Sequence, residues 1–310
     1  MRVSTPPRSR LAVAGARAAV TGVLGHRPLR DRVADAAFRA LLLLAIAVAM
    51  LGVVTLVVWS IVEGHHRLDA NLFTQGPSSL RPESAGFRPA ILGSIYVVLG
   101  VLVLVVPLGV GAAVYLEEYA DRTRWWNRLI ELNIQNLAGV PAIVFGILGL
   151  AFIARGPLDL GFVAAAGSIT LALLVLPTVI IAAREAIRAV PTSIREGALA
   201  LGATRWQAVS RQVLPVAFPG ILTGVILAVS RAIGEAAPLI MVGAVTFVTF
   251  NPRYFEGGYT TLPVQIFAYA KRPQVEFQEL AAAGVLVMMV LVLVMNSVAI
   301  WLRNRYERPL

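Results

Sequence analysis

The sequence predicts an all-α integral membrane protein with six transmembrane helices, on three observations. Of 310 residues, 58% are hydrophobic and 14% charged, with a mean hydropathy of +0.77. That exceeds what one soluble core needs, and the apolar residues fall in long blocks separated by polar loops. The basic residues alternate between loops in the manner of a multi-pass protein.

A bilayer core asks for about 20 apolar residues per helical span. Six stretches qualify as candidates: 36–62, 92–116, 137–154, 162–183, 216–244 and 281–302. The third is short and the fifth is long. Before them, residues 1–35 carry Arg, Ala and Pro without an apolar period, as in Thr5-Pro6-Pro7-Arg8, and read as a flexible cytoplasmic tail. The apolar run Leu41 to Val58 exceeds a usual signal core and no small-residue cleavage site closes it, so residues 36–62 are expected to be an uncleaved anchor. Residues 63–90 are polar, with turn signals at Gly76-Pro77, Arg81-Pro82 and Gly86, and form an extracytoplasmic loop. A permease core is expected over 91–302, with a cytoplasmic loop at 184–215 and a cytoplasmic C-terminus at 303–310.

The formal net charge of +10 raises nucleic acid as a partner, but its distribution argues for topology instead. With Arg39 counted in the tail, 19 Lys and Arg fall with the tail, the second and fourth loops and the C-terminus. The other three loops carry 7, and Arg231 lies within a span. Translocation disfavours flanking positive charge, so both termini and the 184–215 loop are expected to be cytoplasmic, with anionic lipid headgroups as counter-charge. Cysteine is absent, which removes disulfides, thiolate catalysis and Cys-type metal sites. His26, His65 and His66 lie outside the spans and read as loop residues.

Two stretches carry chemistry. In the 184–215 loop, Ser193-x-x-Glu196 has the form of a capping box, Ala198 to Leu201 continue a helix, and Gly202 is placed to end it. Thr204-x-x-Gln207 repeats the box, and a second short helix runs to Leu214-Pro215, where proline is expected to interrupt it. Helix, glycine turn, helix makes a compact knob, with Arg195, Arg205 and Arg211 as its charged skin. Two surface helices filling a loop explain the same pattern; a DNA-reading helix-turn-helix is excluded because spans hold both ends.

The second stretch is Arg231 and Glu235 in the fifth span. Arg231 lies roughly 22 Å along a helix starting near Val216, where insertion scales put arginine at about +2.5 to +3.5 kcal/mol. It must face protein or a wet cavity, and Glu235, one turn on, is its natural partner. The pair either neutralises itself to lock helices or offers a planar fork of donors to an oxyanion, with Glu235 moderating its affinity. Pro107, Gly109, Pro177, Pro219, Gly234 and Pro238 can bend the spans. Asn296 is expected to hydrogen-bond between helices, and Tyr254, Tyr259 and Tyr269 to mark interface or surface positions.

Glu196-Gly197-Ala198-x3-Gly202-x11-Leu214-Pro215 resembles the EAA loop of permease subunits in binding-protein-dependent ABC importers. Gly197 stands where that family prefers Ala, and Gln212 where it prefers an aliphatic residue. Three further segments are similar to the PstA-type permeases of phosphate importers: 136–146 around Gly139-Val140-Pro141, Arg231-Ala232-Ile233-Gly234-Glu235-Ala236-Ala237-Pro238, and Leu262-Pro263-Val264-Gln265-Ile266. Sulfate and molybdate permeases usually follow the Arg-Ala-x-Gly-Glu core with Phe-Gly.

The resemblance implies an ABC importer type I permease fold in a bacterial plasma (inner) membrane, conducting phosphate past Arg231 and Glu235. It implies that Ser193, Glu196, Gly197, Ala198, Gly202, Thr204, Leu214 and Pro215 form the ATPase coupling loop, with Glu196 anchoring it and Gly202 making its turn. A Walker loop needs Gly-Lys-Ser/Thr, and the only lysine is Lys271 in Ala270-Lys271-Arg272, so ATP and Mg are expected on a partner. The implied partners are a PstB-like ATPase dimer, a PstC-like second permease and a PstS-like extracytoplasmic binding protein. A sulfate or molybdate permease and a non-transporting scaffold or sensor subunit remain as alternatives.

Overall fold

The computed structural model describes residues 29–121, 123–244 and 248–306. His26, most of the 1–35 tail and the last four residues of the 303–310 segment lie outside them. No strand occurs among the described residues, and five helices are long and apolar enough to cross a bilayer. A bent pair of shorter helices, meeting at 109°, passes the same test of length and composition only when the two are taken together.

The chain divides into two units, 1–58 and 59–310. In the first, residues 29–58 form most of α1 (Leu29–Gly64), whose candidate span is apolar all round and wholly unburied. A helix with no polar face is built for lipid or for other membrane helices.

In the second unit, the end of α1 leads to the short α2 (Ala70–Thr74), which Asp69 caps by accepting from the Leu72 N–H at 3.0 Å. The 63–90 segment expected as a polar loop is partly core: Leu72, Ala85 and Phe87 are fully buried. Helix α3 (Arg88–Val114) continues as a π-helical turn through Tyr115–Tyr119. Helix α4 (Trp125–Ala138) follows, then α5 (Ala142–Leu148) with a π-helical continuation over Gly149–Ala154, then α6 (Ala164–Arg188). The expected third span, 137–154, is therefore the straight arm of a bent pair, and α4 lies in what was expected to be loop. Pro141 caps α5 and forces its predecessor away from helical geometry, which sets the bend.

The 184–215 loop folds into α7 (Thr192–Ala200) and α8 (Arg205–Ala208). A π-helical turn, Val209–Val213, joins α8 to α9 (Leu214–Gly234), giving one helical rod over Arg205–Gly234. Pro215 therefore does not interrupt the helix as expected. The wider π turn just before it absorbs the missing N–H and the ring. The fifth span ends at Gly234 rather than 244; Glu235 and Ala236 are non-helical, and α10 (Ala237–Met241) restarts on Pro238. Helices α11 (Leu262–Ala270) and α12 (Val275–Tyr306) complete the chain.

The main core runs between α3, α6 and α9, with Val97, Val101 and Val105 against Leu171, Val175 and Val179 and against Ile221, Val225 and Val229. Helices α6 and α9 approach closely because Gly220 and Gly224 face Ala186 and Ala182; a Cβ on Gly224 would lie 2.4 Å from the Ala182 Cβ. This is the small-xxx-small solution for membrane helices, where lipid supplies no hydrophobic drive and close backbones maximise dispersion. A second core packs Leu72, Phe87, Leu262, Tyr269, Phe277 and Leu280. Tyr259 and Tyr269 are fully buried there and in the main core, correcting their expected surface position. Their rings supply the bulk that roofs the bundle, and burial pushes the Tyr269 phenol up to about 12.

Candidate functional site

The knob begins where α6 ends. Pro191, at φ −55° and ψ 137°, takes the cap position of α7, so Ser193 falls inside the first turn and caps nothing. The expected Ser193–Glu196 box is thereby corrected. Glu196 is exposed and, among the described residues, makes no ion pair. At the other end of α7, Gly202 at φ +83° accepts the left-handed turn. Gly202 N–H donates to Leu199 O at 3.0 Å and Ala203 N–H to Ala198 O at 3.1 Å, the paired bonds of a Schellman close. Thr204 and Gln207 then form the expected capping box, Thr204 N–H to Gln207 Oε1 at 2.9 Å and Gln207 N–H to Thr204 Oγ1 at 3.3 Å.

The knob's outer surface mixes large apolar and polar side chains. Leu201 is 90% exposed and Trp206 62%, beside exposed Glu196, Gly197, Gly202 and Gln207. Arg205 and Arg211 are exposed as expected of a charged skin, whereas Arg195, expected with them, turns inward. It donates from Nη1 to Val190 O and from Nη2 to Ile187 O, both at 2.7 Å, and pairs with Glu118. These carbonyls belong to the end of α6 and the turn after it, where the helix terminus favours a cation; Ile187 O also accepts the Val190 N–H at 3.2 Å.

Glu118 belongs to a charge cluster that the sequence reading passed over. Glu117 and Glu118, on the π turn ending α3, have side chains 4% and 8% exposed. Arg184 Nε lies 3.3 Å from Glu117 Oε2 and its Nη2 2.7 Å from Glu131 Oε1 on α4; Arg188 Nε reaches Glu117 Oε1 at 2.8 Å. Arg205 lies 5.2 Å over the Tyr119 ring. The signal was present as two acids closing one apolar run and arginines four residues apart closing another. Nothing in the sequence brought the two runs together.

The Arg231–Glu235 pair sits at the opposite end of the same rod. Arg231 is in the last turn of α9 and Glu235 is its C-terminal cap, with Nε and Oε1 at 3.5 Å, a long contact. Glu235 has left the helix, so the pair is held by the break and not by helical register. The Arg231 side chain is 53% exposed and Glu235 22%, which leaves donors of the guanidinium directed away from this chain. Ser230 donates to Asn296 Oδ1 at 2.6 Å, tying α9 to α12 beside the pair, so Asn296 makes the expected interhelical bond but accepts it instead of donating. From Thr204 to Arg231 the rod rises about 40 Å. The structure thus puts the residues of the 184–215 loop together at one end and the charged pair at the other, joined by continuous helix.

Spans packed on small residues, a knob between the fourth and fifth, and a broken helix carrying an ion pair together define an importer permease. Residues 105–308 match the family described as binding-protein-dependent transport system inner membrane component, and the chain belongs to that family. It is 34% identical to the phosphate transport system permease protein PstA of Yersinia pestis over 84% of this chain and 88% of that protein. It is 30% identical to the probable ABC transporter permease protein YqgI of Bacillus subtilis, over 92% and 99%. Among solved structures it superposes on a bacterial alginate ABC transporter chain with a TM-score of 0.62 at 14% identity, covering 88% of this chain and 96% of that one. It also superposes on the MetNI methionine transporter, TM-score 0.55, 18% identity, 70% and 92% covered. The ABC importer permease fold and the PstA-type resemblance both hold, and the chain is an inner-membrane transport component.

Proposed function

We propose that this chain forms half of the pore of an ATP-driven importer of inorganic phosphate, by alternating access. The observation that carries the reading is Arg231, exposed at a break in a membrane helix and held by Glu235 through one long contact. Discontinuous helices expose backbone dipoles only where a cavity or protein satisfies them, and such breaks recur at transport sites. A guanidinium with free donors suits a tetrahedral oxyanion, and the nearby carboxylate keeps the site weak enough to release it. The names of the PstA relatives select phosphate among oxyanions.

In this reading Glu196, Gly197, Ala198, Gly202 and the exposed Leu201 and Trp206 enter a cleft of a partner ATPase dimer, which binds ATP and Mg. Ser193, Thr204, Leu214 and Pro215 shape the loop. A second, related permease completes the pore, a phosphate-binding protein delivers the ion to the outer face, and both termini are cytoplasmic.

The test is labelled phosphate uptake at low external phosphate, in a strain lacking this gene and other phosphate importers. Uptake restored by the wild type, lost with Arg231→Ala and unaffected by sulfate or molybdate is the expected result. Uptake that either competitor abolishes, or that Arg231→Ala leaves intact, overturns the assignment.

A further inference from the structure

Helix α4 carries large apolar side chains on its outer face. Inward it turns Asn127, 5% exposed and donating to Asp121 O at 2.9 Å, the buried Ile134, and Glu131, which pairs with Arg184. Outward it turns Trp125, 70% exposed, and Leu129 and Leu132, each 49%, with Trp126, Ile130 and Leu137 exposed beside them and Arg128, Asn133, Gln135 and Asn136 exposed among them. A surface that mixes Trp, Leu and Ile with a guanidinium and amides suits the boundary between headgroups and hydrocarbon, where apolar bodies and polar tips both find partners.

The position of the helix agrees. At 14 residues it rises about 21 Å, too short to cross a bilayer. It meets the following membrane segment at 109°, so it runs across the bundle rather than along it. Its inner face packs on the charged end of α6, where Arg184 and Glu117 mark the level at which spans leave the membrane. Tryptophan is the residue that settles at that level, and two open the helix, with Arg124 5.2 Å over the Trp126 ring. Beside them is a hollow of about 430 Å³ lined by Thr123, Trp125, Arg128, Leu129 and Leu132, apolar with one guanidinium at its edge.

We propose that α4 lies in the headgroup–acyl boundary of the bilayer, with a phospholipid chain on Leu129 and Leu132 and its phosphate on Arg128. The guanidinium of Arg128, at the edge of the hollow, complements a lipid phosphate. Because Glu131 on the opposite face holds Arg184, the depth of α4 in the bilayer sets one side of the charge cluster from which the coupling knob hangs. The inference rests on the membrane reading of the spans and not on the transported ion, so phosphate uptake can fail its own test while this stands.

The chain has no cysteine, so a single introduced thiol is its only labelling site. Leu129→Cys, Leu132→Cys and, on the polar arc, Gln135→Cys would be spin-labelled in the full chain with its co-purifying subunits, in liposomes of phosphatidylcholine and phosphatidylglycerol. Power saturation then compares collisions with oxygen, which enters lipid, and with a water-soluble nickel chelate. The expected result is an oxygen-to-nickel ratio several-fold higher at 129 and 132 than at 135. A ratio at 129 and 132 equal to that at 135 means an aqueous face, and low collision with both agents means a protein partner covers it. Either outcome overturns the proposal.

Discussion

Arg195 places Nε and Nη2 2.9 and 2.8 Å from the same oxygen of Glu118, joining the knob to the end of α3 across 77 residues of sequence. The same guanidinium donates to one carbonyl in the last turn of α6, that of Ile187, and to one after it, that of Val190. Three elements therefore share one cation, and a push on the knob reaches two spans without passing through the rod α8–α9.

Removing that cation leaves a nearly buried carboxylate unpaired, a loss of roughly 3–5 kcal/mol when nothing relaxes to compensate. Arg195→Met is expected to lower the thermal midpoint of the purified chain and to lower uptake more than Glu118→Gln does. The double variant should recover part of the loss, with a coupling energy of about 1–3 kcal/mol in a mutant cycle. Strict additivity of the two substitutions would show that the contact carries nothing.

Two glycines in the knob should respond oppositely to alanine. Gly197 is inside α7 with no atom within 4 Å of an added Cβ, so Gly197→Ala is expected to stabilise by about 0.5–1 kcal/mol through helix propensity. Gly202 has equally open space but φ +83°, so Gly202→Ala strains the backbone by about 1–2 kcal/mol. Thermal unfolding in detergent reads both signs, and ATPase association reads whether the Schellman turn sets the docking geometry.

Close packing of α6 on α9 makes a third prediction. Gly224→Ala sets a Cβ 2.4 Å from that of Ala182, and the helices must separate. Overpacking of this kind costs about 1–3 kcal/mol. Ala182→Gly should rescue Gly224→Ala in thermal stability, whereas a distant small-residue change should not.

Asp121, in the turn before α4, is held below the usual carboxylate range, first by the Thr123 hydroxyl at 2.6 Å and then by the Thr123 N–H at 2.9 Å. A depressed carboxyl contributes stability above its unfolded pKa and loses it as pH falls through the folded value. Thr123→Val is expected to raise the Asp121 pKa in a carboxyl ¹³C titration and to bring the loss of this turn to higher pH. An unchanged titration would assign the depression to the backbone N–H of residue 123, which valine keeps, and not to the hydroxyl.

Much of this was legible in residues because the bilayer imposes few solutions. Long apolar runs had to be helices, Gly202 had to turn and Thr204–Gln207 had to cap, since each follows from local backbone chemistry. Ser193 misled because Pro191, two residues earlier, fits the cap position and moves the helix start. Pro215 misled because a π turn is a local geometry without a compositional mark. Arg195 was read as skin because sequence gives a charge but not its partner.

Taken alone, the sequence determined the membrane class, the number of apolar runs, the knob with its glycine turn and the presence of one charged pair in a span. Those are set by hydrophobicity, charge placement and backbone permissiveness, which act over a few residues. Only the tertiary structure decided that Glu117, Glu118 and Glu131 meet Arg184, Arg188 and Arg195, that the segment read as the third span is one arm of a bent pair, and that Glu235 stands at a helix break. Each depends on which helix ends come together, and that is settled by close packing of small residues between helices far apart in the chain.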